Sequence, residues 1–295
     1  MAFRGQILGA TGWLLCLLGS SVFAQQPFDA ERASIAESAT TRERARSEAE
    51  GDESEEEIET DRDSFTPATT TAGWDRLIVE SAYSYVDNRH TFETHSYPEL
   101  IARYGLTERL ELRLGWNYEV GGEGDITSGS DSDFEYEAPG LVRSHQVAYG
   151  LKARVSHQDA WLPASACIIQ GFTPTGGPIN DSQLVVTYVT GWKLPNSWQL
   201  DTALRYGTES DQHEHGNLWA PSAVLKVPVG ERWKAHVEYF GIFADGLRVE
   251  RNPQFISPGL HYLIGPNLEI GTRLGWGLNS DAPNFFCNNG LGIRF

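Results

Sequence analysis

Leu110-Glu111-Leu112-Arg113-Leu114-Gly115-Trp116-Asn117-Tyr118-Glu119-Val120 alternates apolar and polar residues without a miss. A period of two puts Leu110, Leu112, Leu114, Trp116, Tyr118 and Val120 on one face of a β-strand, and Glu111, Arg113, Asn117 and Glu119 on the other. The eleven residues also match the roughly 9 to 11 that a tilted strand needs to cross a bilayer, where a helix needs about 20 apolar ones. The stretch therefore predicts a membrane-spanning β-barrel.

The pattern repeats outward from there. Strands are predicted near 74–86, 92–106, 110–120, 141–156, 161–172, 183–194, 198–208, 217–229, 232–244, 255–264, 268–278 and 285–295. About twelve strands make an even number, as an up-and-down antiparallel barrel requires when both ends of the chain lie on the periplasmic side. Tight turns (106–109, 157–160, 195–197, 230–231, 265–267) alternate with longer connections (121–140, 173–182, 209–216, 245–254). Short periplasmic turns opposite long extracellular loops are the mark of an all-β outer-membrane barrel.

A soluble barrel would alternate too, with its faces reversed, and three features argue against it. Twelve strands enclose more space than their own side chains fill. The polar face would gather Glu80, Arg103, Glu111, Arg113, Lys152, Arg154, Asp201, Arg205, Lys234, Glu238, Glu269 and Arg273, too many charges for a dry core but acceptable in a wet lumen. Facing lipid, each Arg near the midplane would cost about 2–4 kcal/mol. Aromatic residues also collect at the strand ends: Trp74, Trp161, Trp192, Trp198 and Trp233 on the short-turn side, and Tyr83, Tyr85, Trp116, Tyr118, Tyr206, Trp219 and Trp276 on the long-loop side. These form two interfacial girdles. The chain ends Leu291-Gly292-Ile293-Arg294-Phe295, similar to the C-terminal signal read by the barrel assembly machinery, with Phe295 as the terminal aromatic.

Upstream of the barrel, residues 1–24 read as a secretory signal peptide: Arg4, an apolar run from Ile7 to Leu18, then Val22-Phe23-Ala24 before Gln25. Residues 25–73 form an acidic, mostly disordered periplasmic segment, and 74–295 the transmembrane barrel. Residues 25–60 hold 12 Asp and Glu against 4 Arg, almost half of the chain's net charge of -17. With almost no large apolar side chains, such a segment cannot offset its ordering entropy. Docking to a basic partner or plugging the barrel is the alternative. The overall acidity argues against nucleic acid as a partner, and a mean hydropathy of -0.37 argues against a bundle of membrane helices. Cys167 and Cys287, the two cysteines beyond the signal, have no metal spacing and predict free thiols, with Cys167 inward and Cys287 outward.

Thr60-Asp61-Arg62-Asp63-Ser64-Phe65-Thr66, Ser96-Tyr97-Pro98-Glu99, Arg103-Tyr104-Gly105-Leu106-Thr107 running into Glu111-Leu112-Arg113, and Thr173-Pro174-Thr175-Gly176 resemble a family of bacterial outer-membrane transporters labelled "MetA-pathway of phenol degradation". Asp63 stands where that family usually has Pro after Thr-Asp-Arg. The resemblance covers residues 60–295 and implies passive uptake of small organic molecules, aromatic or hydrophobic ones among them. The implied partners are the lipid bilayer and a small organic solute, with no cofactor.

For transport, the candidate lumen residues are Arg103, Glu111, Arg113, Glu119, Arg154, Asp201, Arg205, Glu238, Glu269 and Arg273, whose fixed charges would set selectivity or pair to brace the wall. The candidate girdle residues are Trp116, Tyr118, Trp161, Trp198, Trp233 and Trp276. Asp211-Gln212-His213-Glu214-His215 and the acidic loop from Asp125 to Glu137 read as solvated loops, not metal sites. Two other functions compete. A closed structural barrel would act through its extracellular loops. A hydrolase would need a nucleophile beside one of His145, His157, His236 or His261, and no motif ties any of them to a Ser or Asp. The sequence favours a channel and not an enzyme.

Overall fold

The computed structural model describes residues 57–62, 64–122, 141–178, 181–211, 214–246 and 252–295, the side chains of 209–215 excepted. The signal peptide, residues 25–56 and the acidic loop 125–137 lie outside the described residues, as do the side chains of the Asp211–His215 cluster.

Thirteen strands follow one another: β1 (Leu77–Asp87), β2 (Thr94–Thr107), β3 (Leu110–Gly121), β4 (Val142–Ser156), β5 (Ala164–Gly176), β6 (Gln183–Lys193), β7 (Gln199–Asp211), β8 (Glu214–Pro228), β9 (Trp233–Gly241), β10 (Phe243–Asp245), β11 (Gln254–Leu263), β12 (Leu268–Gly277) and β13 (Phe285–Arg294). They make twelve staves, because β9 and β10 are one stave interrupted at Ile242, whose N–H bonds the Pro253 carbonyl at 2.9 Å. Each stave pairs antiparallel with the next, and β13 returns to β1 in the register Ile78↔Arg294 to Asp87↔Phe285, which closes the barrel. The terminal residue completes the seam, with Phe295 N–H bonding the Leu77 carbonyl at 2.8 Å. Closure gives the two end staves, β1 and β13, partners in each other, so their ladder groups need no help from water.

The outward face is apolar and the inward face is not. Along β3, Leu112, Leu114 and Trp116 are exposed while Glu111, Arg113, Asn117 and Glu119 are buried. Aromatics edge the band at both ends, with Trp161, Trp198 and Trp233 exposed on the short-turn side and Trp116, Trp219 and Trp276 on the other. Tyr118 lies beside Trp116 with ring centroids 6.3 Å apart. The turns are tight where the backbone allows it: Gly230 and Gly265 sit at φ 113° and 131°, a region other residues avoid.

Three expectations change. The connection predicted at 209–216 continues the ladder of β7 and β8 through Ser210↔His215 and Asp211↔Glu214. Cys167 faces outward, like Cys287, because the inward residues of β5 are Ala166, Ile168, Gln170 and Phe172. That strand is apolar on both faces, so alternation could not set its phase. Both thiols are free and half-buried.

The largest change concerns the lumen. Residues 57–62 and 64–73, expected as part of a solvated periplasmic segment, run inside the barrel; Asp63 lies outside the described residues. Ile58 N–H bonds the Pro266 carbonyl in the short turn after β11, Phe65 reaches Phe240 of β9, and Thr71 returns to bond the Glu108 carbonyl in the turn after β2. The segment is thus a loop inserted from the short-turn mouth. It fills the space a twelve-stave wall cannot fill with its own side chains.

Candidate functional site

The inserted segment is held through its backbone as much as through its side chains. Having no strand partner, its N–H groups need acceptors, and inward carboxylates supply them. Glu80 Oε2 accepts from the N–H groups of Asp61 and Arg62, both at 2.9 Å. Glu238 accepts from Phe65 N–H at 3.0 Å and Thr66 N–H at 2.7 Å. Glu111 Oε2 accepts from Ala72 N–H at 2.7 Å, and Glu269 Oε1 from the Thr60 hydroxyl at 2.8 Å.

A belt of charges surrounds the first turn of this loop. The Asp61 carboxylate takes Arg113 Nη1 at 2.6 Å and Lys152 Nζ at 2.9 Å, with Arg103 Nε 3.7 Å away. Glu111 joins both guanidinium groups, at 3.0 Å to Arg103 and 2.8 Å to Arg113, and Glu80 takes Arg103 Nη1 at 2.8 Å. Burial alone would push the Asp61 carboxyl up, but Arg103, Lys152 and Arg113 outweigh it and hold the group well below the usual carboxylate range. Three cations, Arg103, Arg113 and Lys152, thus meet three anions, Asp61, Glu80 and Glu111. The expected wet lumen is absent at this level: Arg103, Lys152 and Glu111 are fully buried, desolvated but paired.

The loop apex meets a different layer. Phe65 stacks on Phe240 with centroids 4.4 Å apart and planes 9° from parallel, and Phe240 stacks on Phe255 at 4.6 Å. Phe286 closes the group at 5.9 Å from Phe255. The Arg205 guanidinium lies 4.2 Å from the Phe65 centroid, and Arg273 lies 5.2 Å from that of Phe286 while pairing with Glu238 at 2.9 Å.

Nine of the ten predicted lumen residues are buried and Arg154 is half-buried, and the structure brings them into distinct groups. Arg103, Glu111 and Arg113 form the belt. Glu238, Arg273 and Arg205 flank the aromatic layer. Asp201 lies 3.4 Å from Lys226, which also holds Glu59 of the loop at 3.1 Å. Burial raises the Glu59 carboxyl, but Lys226, with Thr70 and Gln199, more than reverses this and brings it to about 2. Glu269 faces His261 at 3.6 Å, and His261 bonds His236 at 2.6 Å. Glu119 accepts from Asn117 at 2.8 Å, toward the long-loop end. Arg154 stands apart at the short-turn mouth, donating to the Glu108 carbonyl at 2.5 Å. Beside that mouth, Glu59, Lys226, Lys234 and His261 help line a cavity of about 340 Å³.

Sequence reasoning missed Asp61, Arg62, Phe65, Glu99, Lys226 and the Phe240–Phe255–Phe286 layer. Arg62 bonds the Glu99 carbonyl at 2.7 Å and pairs with its carboxylate at 3.6 Å. One signal was available: Tyr239-Phe240 and Phe285-Phe286 are adjacent aromatic pairs, and in a strand one member of each must point inward.

The four histidines weighed for a hydrolase fall in different places, with His236 and His261 paired beside Glu269. His145 Nδ1 is 2.6 Å from the Thr175 hydroxyl and its ring stacks near Tyr118 at 6.3 Å, but no carboxylate among the described residues pairs with it. His157 lies 3.3 Å from Arg109.

Comparison with known proteins adds to this geometry. A family model described as "Putative MetA-pathway of phenol degradation" matches residues 60–295. The crystal structure of an outer membrane channel from Pseudomonas putida F1 aligns over 81% of this chain and 100% of its own, at 13% identity and a TM-score of 0.51. The translocator domain of the autotransporter NalP from Neisseria meningitidis aligns over 90% and 98%, at 10% identity and a TM-score of 0.50. At these identities the likeness is one of fold, that of the outer-membrane β-barrels. Among curated proteins nothing matches.

Proposed function

Because the chain belongs to the family of the MetA pathway of phenol degradation, we propose that it is an outer-membrane channel for the passive passage of small organic molecules, closed here by residues 57–73. One observation carries this reading. The wall is complete without its occupant, since β13 pairs with β1 and β8 with β9 through strand ladders alone. The loop joins the wall through no strand ladder among the described residues, so it can shift without opening the barrel. Its anchors, polar and aromatic, are all non-covalent, and the cavity of about 340 Å³ beside Lys226 and His261 gives a solute a place to enter from the short-turn side.

The same reading assigns the ten lumen residues to selectivity, the exposed tryptophans to the two interfaces of the outer membrane, and Phe295 to recognition by the barrel assembly machinery. Phe295 is 71% exposed while its backbone seals the seam, so its ring is free to be read. Aromatic or hydrophobic cargo is the class the family label suggests.

A closed barrel acting through its extracellular loops is the rival, and the filled lumen favours it. Planar-bilayer recording decides between them. The channel reading expects brief openings of the intact protein and longer ones for the double variant Asp61→Asn, Phe65→Ala, which weakens both anchoring layers. Silence from both proteins, each verified as folded by heat-modifiable migration, would support the closed barrel.

A further inference from the structure

The central belt is balanced by a residue that is not part of the wall. Among the described residues, Arg103, Arg113 and Lys152 pair with two wall carboxylates, Glu80 and Glu111, and the third negative charge comes from Asp61 of the loop. Asp61 sits as a bound ligand would. Its Oδ2 takes Arg113 at 2.6 Å and Lys152 at 2.9 Å, and its Oδ1 takes Lys152 at 3.2 Å and the Ala68 N–H at 3.0 Å. The site has donors to spare: Arg113, almost fully buried, keeps Nε and Nη2 without an acceptor among the described residues.

We propose that the Arg103–Arg113–Lys152 belt is a binding site for the carboxylate of small organic acids, with Asp61 as the resident stand-in that the solute displaces as the channel opens. The inference rests on the channel reading above and names its cargo class. Charge decides the class. If Asp61 withdraws, three cations face two anions in a desolvated belt, and an uncompensated buried charge is costly. A singly charged carboxylate restores the balance and offers two oxygens to guanidinium donors that form a planar fork. A phenol, neutral near pH 7 with a pKa of about 10, leaves the cation unpaired. An organic cation adds to the excess.

The test uses the full-length protein in proteoliposomes and planar bilayers, with benzoate, benzyl alcohol and benzylammonium as probes of one ring and three charges. Benzoate should enter faster than the other two. Asp61→Asn should raise benzoate flux and shift the reversal potential in a potassium chloride gradient toward chloride. Adding Lys152→Gln to that variant should reverse both changes. Lys152→Gln alone should cut the benzoate preference, which keeps the test decisive if Asp61→Asn does not fold. Benzyl alcohol entering as fast as benzoate, or an Asp61→Asn channel with unchanged ion preference, overturns the carboxylate site while leaving a channel. Absence of any conductance or flux in every folded variant overturns the channel reading, and this inference with it.

Discussion

Arg113 on β3 and Asp61 on the inserted loop are joined by a 2.6 Å ion pair, 52 positions apart in sequence and both shielded from solvent. Through it the barrel wall and the segment that fills it share one electrostatic unit. Removing one member of a buried pair leaves the other charge uncompensated, which typically costs about 3–5 kcal/mol. The consequences are local to the loop, because the wall closes independently of it.

The apex hold rests on Glu238, which accepts two backbone N–H groups and an Arg273 guanidinium. Glu238→Gln replaces one acceptor oxygen by a donor that faces donors. With net hydrogen bonds near 1 kcal/mol and charged ones stronger, loop opening should rise about tenfold or more. The labelling rate of a Ser64→Cys thiol, in a background with Cys167 and Cys287 replaced by Ala, measures it. An unchanged rate would place the hold elsewhere.

The loop should loosen in acid. Glu59 and Asp61 both have their carboxyl groups depressed in the folded state, Glu59 from 4.5 to about 2. A depressed carboxylate stabilises fully above its unfolded value and loses that contribution as pH falls through the folded one. The part of the hold that Glu59 and Asp61 supply should therefore weaken as pH falls below about 4.5 toward pH ~2. The same thiol-labelling assay, run across pH with the reagent's own pH dependence subtracted, reads the profile.

Gly105 marks a close crossing. Its N–H bonds the Arg76 carbonyl at 3.0 Å and its carbonyl takes Asp75 N–H at 2.9 Å, and a Cβ there would overlap the Gly73 carbonyl oxygen. Gly105→Ala must push the loop exit away from β2. Overpacking of this kind costs about 1–3 kcal/mol. The temperature of heat-modifiable migration should fall, with no change for Gly265→Ala beyond its turn strain, since nothing lies near that site.

Leu114 is 59% exposed on the outward face while its neighbour Arg113 is buried inside. Leu114→Arg should cost about 2–4 kcal/mol if that face meets the hydrocarbon midplane. Urea titration of folding into vesicles gives the difference. A negligible loss would put Leu114 in an interface instead.

Cys167 and Cys287 both lie on the outward face. In intact vesicles neither should react with a charged, water-soluble maleimide, both should react after denaturation, and non-reducing electrophoresis should show no bridge. Fast labelling of Cys167 in the membrane would return it to the lumen.

Much of the wall was legible from sequence because a strand's side-chain period is two and the bilayer demands one apolar face along its whole length. Leu110 to Val120, the aromatic girdles and the alternation of short and long connections are local consequences of that demand. Nine of the ten candidate lumen residues that this pattern picked out are buried. β5 escaped the rule, since Ala166 and Ile168 put apolar groups inside as well as out, and its phase was lost with Cys167. What only the tertiary structure decided is what fills the barrel. Residues 57–73 have no periodic pattern, and their burial is specified by acceptors on distant strands: Glu80, Glu111, Glu238 and Glu269. Glu111 and Arg113 are inward by local pattern alone, but that they close on Asp61 instead of on water depends on twelve staves enclosing more volume than their side chains fill, a property no single stretch of sequence carries.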